Sequence, residues 1–119
     1  MTAPNIINVQ TMIGNTGVQS VTTSATAIVT NSAASSKVYK INSLIVSNID
    51  SANSATLTVD LFRSSVAYPI INQVVVPINS SFTPIDKQLY LYLLEGDQLR
   101  LTANAASRLT AVCSWEEIS

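Results

Sequence analysis

The stretch Tyr39-Lys40-Ile41-Asn42-Ser43-Leu44-Ile45-Val46-Ser47-Asn48-Ile49, then Asp50-Ser51-Ala52-Asn53-Ser54, then Ala55-Thr56-Leu57-Thr58-Val59-Asp60-Leu61-Phe62, decides the fold class. In the last segment Ala55, Leu57, Val59 and Leu61 alternate with Thr56, Thr58, Asp60 and Phe62, the period of two that half-buries a β-strand. The first segment is rich in β-branched residues and reads the same way, with Tyr39, Ile41, Ile45 and Ile49 on one face. Its other face, Val38, Lys40, Asn42, Leu44 and Val46, is mixed. Asp50 to Ser54 is a cluster of short polar side chains that bond their own backbone, so the two strands are expected to form a hairpin.

The same texture continues toward the C-terminus. Pro69 and Pro77 bracket Ile70-Ile71-Asn72-Gln73-Val74-Val75-Val76, and since proline cannot donate to a ladder they mark the ends or the edge of a strand. Asn79 to Asp86 reads as a polar loop crossing between sheets, and Leu89 to Leu94 as a strand. Glu95-Gly96-Asp97 is a tight turn whose glycine supplies a positive φ where one is needed. Leu99, Leu101 and Ala103 alternate with Arg100 and Thr102. In the final strand Leu109, Ala111, Cys113 and Trp115 oppose Thr110, Val112, Ser114 and Glu116.

Upstream the pattern thins. Residues 1–34 are dominated by Thr, Ser, Asn, Gln and Ala and hold no charge. Asn5 to Ile13 reads either as an extended arm lying on a surface, with Ile7, Val9 and Ile13 on one side, or as an ordinary edge strand, and Thr26 to Thr30 reads as a short strand. The expected organisation is a single domain, with a polar N-terminal arm and first short strands over 1–34 and a sandwich core over 35–119. Seven or eight short strands separated by turns, with no helical stripe, predict an all-β fold. An antiparallel two-sheet sandwich of jelly-roll or Greek-key type is the expected form, because packing one sheet on another hides their inner faces.

Composition narrows function. The 119 residues include no His and one Cys, so the commonest acid–base side chain is missing and Cys113 cannot complete a structural zinc site or an internal disulfide. No Ser lies in a nucleophile elbow, no Ser-x-x-Lys occurs, and Gly14 and Gly17 match no phosphate loop. Glu116 and Glu117 are strand neighbours pointing to opposite faces, while Glu95 with Asp97, and Asp50 with Asn53, are turn residues before they are metal ligands. The expectation is a protein that is not an enzyme and takes no cofactor or metal. Lys37, Lys40, Arg63, Lys87, Arg100 and Arg108 are dispersed, which disfavours nucleic acid. The longest apolar run, Leu89 to Leu94, falls far short of a membrane span, and Met1 to Asn5 lacks the basic start and apolar stretch of a secretion signal.

What the sequence does carry is apolar surplus and little charge. Charged residues are 11% of the chain and the net charge is −1, while Ser, Thr and Asn fill 38 positions, so copies repel one another weakly. Ile70 beside Ile71, Val75 within an unbroken valine run, and Tyr90 and Tyr92 opposite a Leu face put apolar groups on faces that should be wet. Tyrosine is a preferred contact residue. With the arm residues Ile7, Val9 and Ile13, these make the candidate protein interface, and self-association as a dimer or trimer is expected. Trp115, Tyr39, Tyr90 and Tyr92 also raise a carbohydrate-stacking platform as a rival.

The order from Lys37 to Ser119 resembles small virion structural proteins of tailed bacteriophages. The resemblance rests on Tyr39 to Asn48, a small-residue turn, Ala55 to Leu61, a proline-bounded strand, Leu91-Tyr92-Leu93-Leu94-Glu95-Gly96-Asp97-Gln98-Leu99-Arg100-Leu101-Thr102-Ala103, and a closing strand ending Trp115-Glu116-Glu117-Ile118-Ser119. It implies a capsid cement or decoration protein that is made in the host cytoplasm, docks on the major capsid protein at the head surface and bridges capsomers. A neck, tail or fibre component is the alternative. Neither implies catalytic residues.

Overall fold

The computed structural model of the chain describes residues 11–119 apart from Lys87. These residues hold β1 (Met12–Ser20), β2 (Thr26–Thr30), β3 (Val38–Asn48), β4 (Ala55–Arg63), β5 (Val66–Val76), β6 (Ser81–Ile85), β7 (Leu91–Leu93), β8 (Gln98–Ala103) and β9 (Leu109–Ile118), with no helix among them.

The pairings are all antiparallel, and they nest. β4 returns on β5 through the two-residue turn Ser64-Ser65, whose φ values of 53° and 62° are those of a tight hairpin turn. Outside that pair β3 meets β6 and, further along, β7; then β2 meets β8; outermost, β1 meets β9. The chain is thus one long hairpin whose successive rungs lie in opposite sheets. Rolling it up sets β9 between β1 and β3, and β8 between β2 and β4. The product is a jelly roll, with a sheet β1-β9-β3-β6, to which β7 adds beside β3, facing a sheet β2-β8-β4-β5. The antiparallel two-sheet sandwich expected from the strand patterning is what forms.

Its core lies between the sheets. Ile41, Leu44, Val46, Leu93, Leu109, Ala111 and Cys113 come from one side and Val29, Leu57, Val59, Val76, Leu99 and Leu101 from the other, with Tyr39, Phe82 and Trp115 packed at the margin. Each buried Leu, Ile or Val contributes roughly 1.5–3 kcal/mol, enough in sum to fold the chain without a disulfide. The buried Asn48 is tied in. Asn48 donates from Nδ2 to the carbonyls of Asn53 and Val76 and accepts the Asp50 N–H on Oδ1.

Several local expectations are corrected. Asp50 to Ser54 turns as expected, with Asp50 Oδ1 accepting the N–H groups of Ala52 and Asn53. It joins β3 to the opposite sheet, however, and no hairpin forms: β9 and β6 already occupy both edges of β3. In β3 the pairing with β9 steps from Ile41 opposite Trp115 to Ser43 opposite Ser114, leaving Asn42 as an extra residue. That bulge exchanges the faces, so Leu44 and Val46 follow Ile41 into the core while Ile45 and Ile49 turn outward. β5 starts at Val66, with Pro69 inside it, which is tolerated because β5 is a sheet edge. The stretch read as a crossing loop contains β6, and the expected strand over Leu89 to Leu94 shortens to β7. The N-terminal third is more regular than its composition implied: from Met12 it is a full strand, so Ile13 belongs to a sheet edge and not to an arm.

Gly17 shows why β1 fits there. A Cβ at Gly17 would lie 2.9 Å from Cζ3 and 3.0 Å from Cη2 of Trp115, so the indole rests on bare backbone; a Cβ at Gly14 would meet nothing within 4 Å. Gly17→Ala is therefore expected to destabilise the chain by about 1–3 kcal/mol through overpacking. Gly14→Ala is expected to stay within about 0.5 kcal/mol of the parent. Denaturant titration of the two variants checks this, and equal stabilities would mean that Trp115 is not seated on Gly17.

Candidate interaction surface

The registers of β1, β9 and β3 arrange the outer face of the larger sheet in rows. Val18 lies opposite Val112 and Val112 opposite Ile45, an apolar row across three strands whose members are 77%, 40% and 40% exposed. On one side lies the hydroxyl row Ser20, Thr110 and Ser47, and on the other Thr16, Ser114 and Ser43. Next come Gly14, Glu116, Lys40 and Tyr92, the first row with charge. Asn42, ejected by its bulge, donates from Nδ2 to Glu116 Oε1 at 2.8 Å, and Lys40 Nζ lies 4.8 Å from the centre of the Tyr90 ring. The last row is Met12, Ile118 and Val38; the latter two are buried yet stand outside the inter-sheet core.

The expected interface residues scatter over this framework. Ile7 and Val9 lie outside the described residues. Ile13 sits on β1, about half exposed. Ile70 is ejected by a bulge in β5, and Val75 is exposed nearer that strand's end. Ile71 packs against the core. Tyr90 and Tyr92 do come together, edge to face with centroids 5.5 Å apart, and Tyr92 joins the charged row. The row of Val18, Val112 and Ile45 escaped sequence reading. Ile45 was hidden by the bulge, whose trace is the spacing of three between Ile41 and Leu44, where a regular strand has two.

Polar chemistry is committed to structure. Asp97, buried, binds Arg63 with both carboxylate oxygens and accepts the Leu94 N–H at 2.8 Å. That hydrogen bonding raises the Arg63 guanidinium above its ordinary range. Asn31, also buried, exchanges backbone bonds with Asp97 and Gly96 and donates from its side chain to the carbonyls of Lys37 and Leu93. Gly96 takes the positive φ, 86°, that its turn requires. The adjoining cleft, lined by Phe62 to Ser65 and Leu94 to Asp97, is a by-product of this knot. Lys37 pairs with Glu117 at 3.2 Å, Arg108 with Asp50 at 3.5 Å, and Arg100 stacks on Phe62 near Asp60. Among the described residues no three His, Cys, Asp or Glu side chains gather to hold a metal.

The aromatics do not form one platform. Trp115 and Tyr39 pack against the inter-sheet core, while Tyr90 and Tyr92 lie outside it beside Lys40. Burial pushes the Cys113 thiol up from 9.0 to about 12, the opposite of what a nucleophile needs. Set against known protein families, curated proteins and solved structures, the chain matches none.

Two outcomes follow. Asp97→Ala strips acceptors from Arg63 and from the Leu94 N–H, and is expected to cost about 2–4 kcal/mol in denaturant unfolding. Unchanged stability would remove the knot from the list of structural supports. Cys113, whose folded pKa is raised, supports the fold fully below pH 9.0 and loses that support as the pH rises toward about 12. At pH 8 the native thiol is expected to react with a thiol reagent at least ~100-fold more slowly than the unfolded chain, since reaction waits on opening; comparable rates would mean that it is accessible.

Proposed function

We propose that the chain is a non-enzymatic virion structural protein, a cement or decoration protein that docks on the major capsid protein and bridges capsomers. One observation carries the reading: the outer face of the larger sheet presents the exposed row Val18, Val112 and Ile45 between rows of hydroxyls, a broad surface whose charge is confined to its margin. Such a face suits close packing against another protein surface, where its hydroxyls find hydrogen-bond partners and cost far less to desolvate than charges do. The near-neutral composition and the segment order from Lys37 to Ser119 support the same reading. Many copies on a symmetric shell then turn modest single contacts into a tight coat.

The test is genetic first. Flanking genes are expected to encode head, portal or tail proteins, and particles assembled without this gene are expected to keep their shape but burst at lower temperature or under osmotic shock. Purified chain added back restores them. Intact heads that fail to join tails would instead assign the neck or tail component. Particles that lack the chain yet match the parent in stability and infectivity would overturn both.

A further inference from the structure

Among the described residues the two sheets have four open edges, and three of them are blunted. β2 is five residues long and bulged at Ile28, and Gln19 Nε2 donates to its Ala27 carbonyl at 3.0 Å. β5 carries Pro69 and two bulges. The remaining edge of the larger sheet is broken between β6, which is bulged and holds Pro84, and the three-residue β7. β1 differs. It runs nine residues in unbroken register with β9 and has no charge and no proline. Natural sheets protect their edges with proline, bulges, shortness or charge, so a long unprotected edge marks a place where another strand is added.

The pairing pattern shows which groups are offered. Thr11 and Ser119 exchange both backbone bonds, at 3.1 and 2.9 Å, and the Val21 N–H reaches the Leu109 carbonyl. In an antiparallel ladder such pairs alternate, so odd-numbered residues of β1 face β9 and Met12, Gly14, Thr16, Val18 and Ser20 turn their N–H and C=O groups to the open edge. Among the described residues nothing pairs with them.

We infer that this edge binds β1 of a second copy, antiparallel, about a two-fold axis through Thr16. That register alone uses all five outward residues: Met12 meets Ser20 of the second copy, Gly14 meets Val18, and Thr16 meets Thr16. The occupant is argued from fit. Val18 falls opposite Gly14, where the space for a Cβ is open, the threonines form a favourable cross-strand pair, and no charge lies on the seam. The nearest like charges on the outer face, the two Glu116 side chains, stand three strand spacings apart and four residues apart along the strands, ~20 Å in all, beyond the ~8–10 Å over which salt leaves such repulsion unscreened. This inference does not depend on the virion reading.

Sedimentation of the full chain at ~100 µM, a concentration suited to a modest interface, is expected to show twice the 12.7 kDa of one chain. Thr16→Lys sets two ammonium groups at the axis and is expected to halve that mass with the circular dichroism unchanged; Asn72→Lys on β5 is expected to leave it intact. Thr16→Cys is expected to cross-link to itself on oxidation, since paired Cα atoms at about 5.5 Å suit a disulfide. Ser20→Cys is not, while Gly14→Cys and Val18→Cys cross-link when mixed. A monomeric parent, a Thr16→Lys dimer, or cross-linking through Ser20→Cys equal to that through Thr16→Cys would each overturn the proposal.

Discussion

Everything in the larger sheet depends on the antiparallel seam between β9 and β3. β9 inserts between β1 and β3, so the last of the described strands closes a sheet that the first of them begins. Without that seam the outermost rung of the rolled hairpin would hang as an isolated ribbon, and two-stranded ribbons are marginal in water. The seam also fixes which side chains are inside. Leu109, Ala111 and Cys113 hold a strict period of two, and β3 must match them on both sides of Asn42. One extra residue does this. It brings Ile41, Leu44 and Val46 to the same face, and in doing so it sends Ile45 outward to complete the row with Val112 and Val18.

That exchange of faces separates what was legible in the sequence from what was not. Most strands were legible, because alternation over Ala55 to Leu61 and Leu109 to Trp115 reports a half-buried surface whatever its partner; β6, inside a stretch rich in Ser, Thr and Pro, was not. Pairing was not. Asp50 to Ser54 has the residues of a hairpin turn, but turn chemistry is local, whereas the choice between returning in the same sheet and crossing to the other depends on whether the edge is already taken by β9 and β6. The true hairpin runs through Ser64-Ser65, a pair that takes positive φ without the usual glycine or asparagine and so carries no strong signal. Ile70 and Val75 were legible as surplus apolar groups because they interrupt a strand already recognised. Val18 was not, since Gly14, Asn15, Gly17 and Gln19 break the apolar alternation of β1 on both faces.

Charge is used sparingly and mostly inward. Arg63 on Asp97, Lys37 on Glu117 and Arg108 on Asp50 tie loops and strand ends together, and Arg100 lies along Phe62 near Asp60. The partly exposed pair of Lys37 and Glu117 contributes about 0–1 kcal/mol, and the larger effect of these pairings is to leave the outer sheet face almost free of charge. A face free of charge has no long-range repulsion to hold other surfaces away, and it has no strong steering either. Recognition there must come from fit at contact: side-chain rows of matching height, and backbone groups in register.

The magnitudes then say what kind of assembly such a surface makes. Ten backbone hydrogen bonds across a two-fold β1 seam, each worth roughly 0.5–1.5 kcal/mol net, offer about 5–15 kcal/mol. Association costs an estimated 4–15 kcal/mol of lost rotational and translational freedom. The two nearly cancel, so the side chains on the seam, Val18 over Gly14 and Thr16 on Thr16, decide the sign, and an isolated pair of chains is held weakly. On a repeating scaffold the balance shifts. A copy already held by its outer face has lost most of that freedom, and its β1 edge meets the neighbouring edge at an effective concentration in the millimolar range for short tethers. A strand edge too weak to make a tight dimer in dilute solution is then strong enough to link neighbours that a lattice has placed side by side, provided that the lattice spaces them at one strand's distance.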